Sequence, residues 1–379
     1  MQVNKETFCV LPFIHTVLNP YDSSKHNTNA LPCCRYPPSN TEFFENTDPI
    51  TKSKTWIKLQ EQFLNNEKPS NCYHCWRDEE HNTTSYRQQM LTNFSKVIDD
   101  GSYKEKKLLF LELMFGNTCN LACRTCGSTF SSKWLPIDNY LYANNMQATN
   151  QTTNIKFSNW KELDLTELIQ LKIMGGEPFY QKGALELLKY LSNIGVLKNI
   201  QLSIPTNCTI QLNDRWKELL LEAKKVYFYL SVDAYGKLND YIRSGSDWDT
   251  VEKNLHSFCE FVKQHQHKIH ASVNTVVSVY NVNRLFELEE YIKEEFHWAV
   301  YGDIAQYPSY LDIGLLPNHI KNNIIASGVS ERITGYLNSK EYSEKDFEKL
   351  KNVTSLLDKY NKKNLKDYNP EMYNWIIND

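Results

Sequence analysis

Three cysteines in eight residues, Cys119-Asn120-Leu121-Ala122-Cys123-Arg124-Thr125-Cys126, constrain this chain more than any other feature. They follow directly on Leu108-Leu109-Phe110-Leu111-Glu112-Leu113-Met114, an apolar run that reads as a buried strand. The spacing draws three thiolates into one tight loop, and Gly116-Asn117-Thr118 supplies a turn that lets the chain curl. Thiolates are the soft ligands that iron–sulfur clusters prefer. Three of them on a four-iron cubane leave one iron open to a small molecule. Structural zinc takes four ligands, and a fourth could come from elsewhere in the chain, so spacing alone leaves both metals open.

Cysteine distribution extends the argument. Of the ten cysteines, Cys9, Cys33, Cys34, Cys72 and Cys75 precede the loop, and only Cys208 and Cys259 follow it. The polar start of the chain lacks a secretory pattern, and no run is long enough to span a bilayer. The expected setting is therefore a reducing cytoplasm, where grouped cysteines point to metal sites rather than disulfides. A net charge of −3 gives no general attraction to nucleic acid or an anionic membrane. With 379 residues and 41% apolar composition, the chain can build a large core plus a smaller module.

Residues 1–104 read as loop-rich, with a strand near Val10–Val17, a helix near Lys54–Asn65, and breaker clusters at Asn27-Thr28-Asn29 and Pro37-Pro38-Ser39-Asn40. So little apolar area calls for a staple, and Cys72-x-x-Cys75 with the adjacent pair Cys33-Cys34 and with Cys9 would supply a metal-binding one. From 105 to 310, strands expected near 108–114, 171–174, 200–205, 226–233, 269–277 and 298–306 alternate with helices near 182–194, 213–223, 248–265 and 282–295. That alternation predicts a parallel sheet, as a partial barrel or an open doubly wound sheet. A polar stretch at 136–165 reads as an insertion or lid, and 311–379 as a charged helical extension.

In order along the chain, the presumed strand ends carry Cys119-x-x-x-Cys123-x-x-Cys126, Gly175-Gly176-Glu177-Pro178, Thr206-Asn207-Cys208-Thr209, Ser231-Val232-Asp233 with Arg243 beyond it, and Asn274-Thr275-Val276-Val277. This ordered set resembles the radical S-adenosylmethionine superfamily. The resemblance implies a partial (β/α)6 barrel with its site at the carboxyl ends of the strands. It implies a [4Fe–4S] cluster on Cys119, Cys123 and Cys126 that cleaves S-adenosylmethionine and starts hydrogen-atom abstraction. It places Gly175, Gly176, Glu177 and Pro178 at the amino group of the methionine part, and Ser231 and Asp233 at ribose or carboxylate. Asn207 belongs to the same site, Asn274 and Val276 pack the nucleoside, and Arg243 pairs with the carboxylate. Two positions depart from the superfamily pattern: Thr125 stands where an aromatic residue often helps hold adenine, and Cys208 replaces the glycine of the third motif. Cys208 reads as a small buried residue, the alternative being a thiol near the radical; Cys259 reads as core.

The front cysteines resemble a twitch domain, a shortened SPASM domain, placed here before the core, with Phe8-Cys9-Val10-Leu11-Pro12-Phe13-Ile14-His15 and Leu31-Pro32-Cys33-Cys34 as signatures. That implies a second, auxiliary [4Fe–4S] cluster on Cys9, Cys33, Cys72 and Cys75, with Cys34 able to replace Cys33; zinc is the competing occupant. No helix-starting context is expected around Cys72, and His15, His74 and His81 read as core or solvated rather than as ligands. The implied activity is a radical enzyme acting on a peptide or protein and fed by a one-electron donor such as flavodoxin or ferredoxin. A small-molecule substrate such as a carbohydrate or nucleoside, or a non-catalytic metal-binding or electron-transfer protein, are the alternatives.

Overall fold

A computed structural model describes residues 3–19, 28–37, 42–44, 48–80, 83–146 and 159–377. Asn27, residues 38–40, His81 and 147–158 of the polar stretch lie outside the described residues. The strands, in chain order, are β1 (His15–Asn19), β2 (Thr28–Leu31), β3 (Glu42–Phe44), β4 (Phe110–Met114), β5 (Ala122–Cys123), β6 (Gln170–Met174), β7 (Gln201–Thr206), β8 (Lys225–Ser231), β9 (Arg243–Ser244), β10 (Ile269–Val277) and β11 (Val300–Ile304). The protein is mixed α/β, and its longer strands pair mostly in parallel. No helix among the described residues is long and apolar enough to cross a membrane.

Packing divides the chain into two compact units, and it does so across the three sequential segments read from the sequence. The first comprises Met1–Gly116, Asn154–Ser203 and Asp214–Val226. In it β4 pairs in parallel with β1 on one side and with β6 on the other, while β1–β2 and β2–β3 are antiparallel. The front segment thus extends the sheet instead of standing apart. It also shares a core, in which Phe8, Phe13, Ile14 and Phe63 pack with Leu109 and Phe110. The front is richer in helix than its sequence suggests. Pro12, with its preset φ, begins a helical turn at Leu11–Ile14 where a strand is expected, and β1 starts only at His15. A 3-10 turn at Ser70–Cys72 leads into the helix Tyr73–Glu80, so Cys72 does sit at a helix start. The helix Lys182–Asn193 buries Ala184, Leu187, Leu188 and Leu191, a 3.6-residue stripe.

The second unit comprises Asn117–Thr153, Ile204–Asn213 and Tyr227–Asp379. It holds the neighbouring strands β8, β10 and β11, and the short antiparallel pair β5–β9. Along β8, Phe228 and Leu230 are buried and alternate with half-buried Tyr227, Tyr229 and Ser231. The helix Trp248–Gln264 is capped by Asp247, which accepts from Thr250 N at 3.1 Å, and it buries Val251, Leu255, Phe258 and Cys259. The C-terminal residues join the core of this unit. The helix Glu344–Asn361 buries Phe347, Leu350, Val353 and Leu357 in the same core as Tyr241, Tyr280 and Leu311.

Candidate metal and cofactor sites

The cysteine loop is locked by its own backbone. β5 pairs with β9 so that Cys123 lies opposite Arg243 and Ala122 opposite Ser244. Arg124 N donates to Ile242 O at 2.7 Å, Trp134 Nε1 to Cys123 O at 2.8 Å, and Ser131 Oγ to Leu121 O at 2.5 Å. Fixed in this way, the Cys119 sulfur acquires donors. Leu121 N and Asn207 Nδ2 approach Cys119 Sγ at 3.5 and 3.9 Å. Such contacts suit a thiolate and tune the potential of a cluster bound to it. Asn207 is itself held, since its amide donates to Asn120 Oδ1 at 2.8 Å and its oxygen accepts from Thr209 N and Oγ1.

Burial, the largest influence, pushes the Cys126 thiol up to about 11 and drives Cys123 further in the same direction, although Arg243 pulls both back. These groups are neutral thiols near pH 7 unless a metal displaces their protons. Among the described residues no three His, Cys, Asp or Glu side chains gather closely enough around one point to hold a single ion. A multi-iron cluster makes a different demand, because each thiolate meets its own iron.

Arg243 is buried, and its Nη1 donates to Asp233 Oδ2 at 2.9 Å. Its Nε is buried with no hydrogen-bond partner among the described residues, a donor beside the cysteine loop that fits an anionic group. The Asp233 carboxylate has two protein partners among the described residues. It is fully buried, with Oδ1 taking Val276 N at 2.9 Å and Oδ2 taking Arg243. Its carboxylate therefore orients Arg243 and ties β10 to the end of β8. Ser231 and Asn274 are half-buried on those strands, and Asn274 O accepts from Val232 N. Thr125 is half-buried as well.

Cys208 has φ +61°, which explains why glycine suits the position. Its side chain is fully buried with Sγ turned to Thr206 O, and its carbonyl accepts from Asn254 Nδ2 at 2.8 Å. The thiol faces the interior, in keeping with the small-residue reading.

In the first unit, Gly175 (φ +118°) lies so close to the end of β4 that a Cβ would stand 2.5 Å from Gly116 O and 2.8 Å from Gln181 Nε2. Gly176 N and Gln181 Nε2 both donate to that same carbonyl. Glu177 is buried and caps the turn Pro178–Tyr180 by accepting from Phe179 N at 3.3 Å. The geometry thus gives Glu177 a local capping role.

The front cysteines converge. Cys9, Cys33, Cys72 and Cys75 line one small cavity of about 30 Å³, with Tyr86 and Arg87 beside them, whereas Cys34 is exposed and does not line it. Burial raises Cys9 to about 12 and lifts Cys72 and Cys75 too; Cys33 is lifted first by its bond with Cys34 and then by burial. Arg35 N lies 3.4 Å from Cys33 Sγ, a donor of the kind seen at Cys119. Among the described residues no disulfide joins any of the ten cysteines. His74 lines the cavity and packs at a tilt against the Tyr73 ring.

Two features escape a reading of the sequence. One is a buried polar cluster across β1, β4 and β6: Glu112 Oε1 lies 3.4 Å from His15 Nε2 and accepts from Tyr86 OH at 3.2 Å, and Oε2 pairs with Lys172 Nζ at 3.2 Å. Burial alone would raise Glu112, but the bond with His15 and the charge of Lys172 overcome it and hold the carboxyl at about 2. The parallel register of β1–β4–β6 creates this meeting, and no local motif announces it. The other is Arg124, whose one hint in sequence is its position as a charged residue between two cysteines.

No family model and no curated protein matches the sequence. Among solved structures, the chain is similar to anSMEcpe with bound AdoMet (19% identity over 68% of this chain and 60% of that one, TM-score 0.39). It is also similar to Streptococcus suis SuiB bound to S-adenosylmethionine (14%, 90% and 71%, 0.35) and to TYW1 with a lysine–pyruvate adduct (16%, 49% and 61%, 0.28). The match spans about 60% of the length of anSMEcpe. At these low TM-scores, the functional assignment rests on the residues of the chain itself.

Proposed function

We propose that this protein is a radical S-adenosylmethionine enzyme, with Cys119, Cys123 and Cys126 holding its [4Fe–4S] cluster. The observation that carries the reading is the three-thiol loop locked beside a buried arginine whose Nε has no partner among the described residues. When bound, the cluster and S-adenosylmethionine supply a carbon radical able to remove a hydrogen atom from an unactivated C–H bond. The residues bind and orient. Arg243 pairs with the carboxylate of the methionine part, and Asp233 holds Arg243 in place. Asn207 and the Leu121 N–H stabilise the charge on Cys119. By resemblance alone, the backbone of Gly175, Gly176, Glu177 and Pro178 receives the amino group, and Ser231, Asn274 and Val276 meet the nucleoside.

The same proposal gives residues 1–104 an auxiliary cluster on Cys9, Cys33, Cys72 and Cys75, residues 105–310 the radical core, and 311–379 a helical extension. The shared cavity favours Cys33 over Cys34 as the fourth ligand. The substrate class proposed is a peptide or protein, with a flavodoxin- or ferredoxin-type reductant.

Anaerobic reconstitution tests this. About eight irons per chain are expected, as two four-iron clusters require. S-adenosylmethionine should alter the spectrum of one cluster, and reduction should release 5′-deoxyadenosine. Bound zinc with no deoxyadenosine would refute the reading.

A further inference from the structure

The residue between the second and third loop cysteines is anchored by the far end of the chain. Arg124 is almost fully buried. Its Nε donates to Tyr241 O at 3.0 Å, and its Nη2 reaches Asp358 Oδ1, on the helix Glu344–Asn361, at 2.6 Å. The guanidinium lies over the Tyr241 ring, 3.8 Å from its centroid. Asp358 is equally occupied: Tyr241 OH donates to Oδ1 at 2.8 Å and Leu365 N to Oδ2 at 2.9 Å. One turn earlier on the helix, Thr354 Oγ1 meets Tyr280 OH at 2.9 Å. Tyr241 and Ile242 lead directly into β9, so the backbone that receives Arg124 is the one that pairs with Cys123.

We infer that Asp358 is a positioning residue for the cluster loop: it anchors Arg124, neutralises the charge of this residue that directly follows Cys123 in the chain, and so makes the C-terminal helix part of the redox centre. The inference rests on the proposed cluster. A guanidinium prefers a planar carboxylate partner, and a buried one deprived of it remains as an uncompensated positive charge. A reduced cluster carries one more negative charge than an oxidised one. An unpaired Arg124 therefore favours reduction and makes the reduced cluster a weaker electron donor.

The test compares three reconstituted proteins with the wild type. Asp358→Asn should keep its iron, shift the midpoint potential of the S-adenosylmethionine-responsive cluster to more positive values, and release deoxyadenosine at least tenfold more slowly. Asp358→Glu should return both readouts toward wild type. The paired change Arg124→Met with Asp358→Leu leaves no buried charge. It should fold even if Asp358→Asn does not, and hold the potential near the wild-type value. In its metal-free form, the backbone amide at position 124, which donates to Ile242 O in the wild type, should exchange hydrogen at least tenfold faster than in the wild type. A potential unchanged in Asp358→Asn, or an amide at position 124 exchanging at the wild-type rate in the paired variant, would overturn the inference. Failure of the cluster proposal looks different: the wild type itself would then bind no iron or release no deoxyadenosine.

Discussion

Replacing Glu112 by Gln should destabilise the first unit by about 3 kcal/mol at neutral pH. The carboxyl is fully buried between His15, Lys172 and Tyr86, and is held at about 2 against an ordinary value of 4.5. A gap of that size corresponds to ~3 kcal/mol of preference for the ionised form in the folded chain. Gln keeps the shape and removes the charge, so it mimics the protonated carboxyl. Lys172, whose side chain is a third exposed, can turn part of its charge to water, which keeps the cost at the low end for a broken buried pair. The pH dependence follows from the sign. A depressed folded-state value means that the stabilisation is complete above pH 4.5 and declines as pH falls toward 2. Urea denaturation of both proteins from pH 7 to pH 3 measures this. The wild type should lead by the full amount at pH 7, and the lead should shrink below pH 4.5. Equal midpoints at pH 7, or a lead undiminished at pH 3, would refute the electrostatic account.

Two further predictions concern cysteines. Cys33→Ser should lower the iron content by the auxiliary share while Cys34→Ser leaves it unchanged, because only Cys33 lines the shared cavity; iron counting after reconstitution decides between them. Cys208→Gly should be more stable than Cys208→Ala by about 1 kcal/mol, since glycine relieves the left-handed backbone and alanine does not. Both variants should release deoxyadenosine at the wild-type rate, as the inward-facing thiol requires. Thermal denaturation and a product assay check the pair.

Local pattern was enough to locate the main body. The strands fall within a few residues of the apolar runs that announced them, and the helix Trp248–Gln264 follows its stripe of Val251, Leu255, Phe258 and Cys259. The front end was harder to read. Its helices are short, and Leu11–Ile14 looks like strand until Pro12 is given its backbone preference. A change in composition suggests a boundary at 104, yet β1 pairs with β4, and composition carries no information about which strands pair.

The candidate sites divide along the same line. The loop cysteines, the strand-end motifs and the front cysteines are all visible in sequence, because spacing and residue type determine which ligands a short loop can present. What those residues do to one another was settled by tertiary structure. Asp233 supports Arg243, Glu177 caps a turn, Cys33 faces the cavity that Cys34 does not line, and Asp358 meets Arg124 across more than two hundred residues of chain. Each of these depends on distances between elements remote in sequence. The three-cysteine loop is therefore a property of the sequence, while the charges and donors around it are a property of the fold: ligand spacing is local, and electrostatic environment is not.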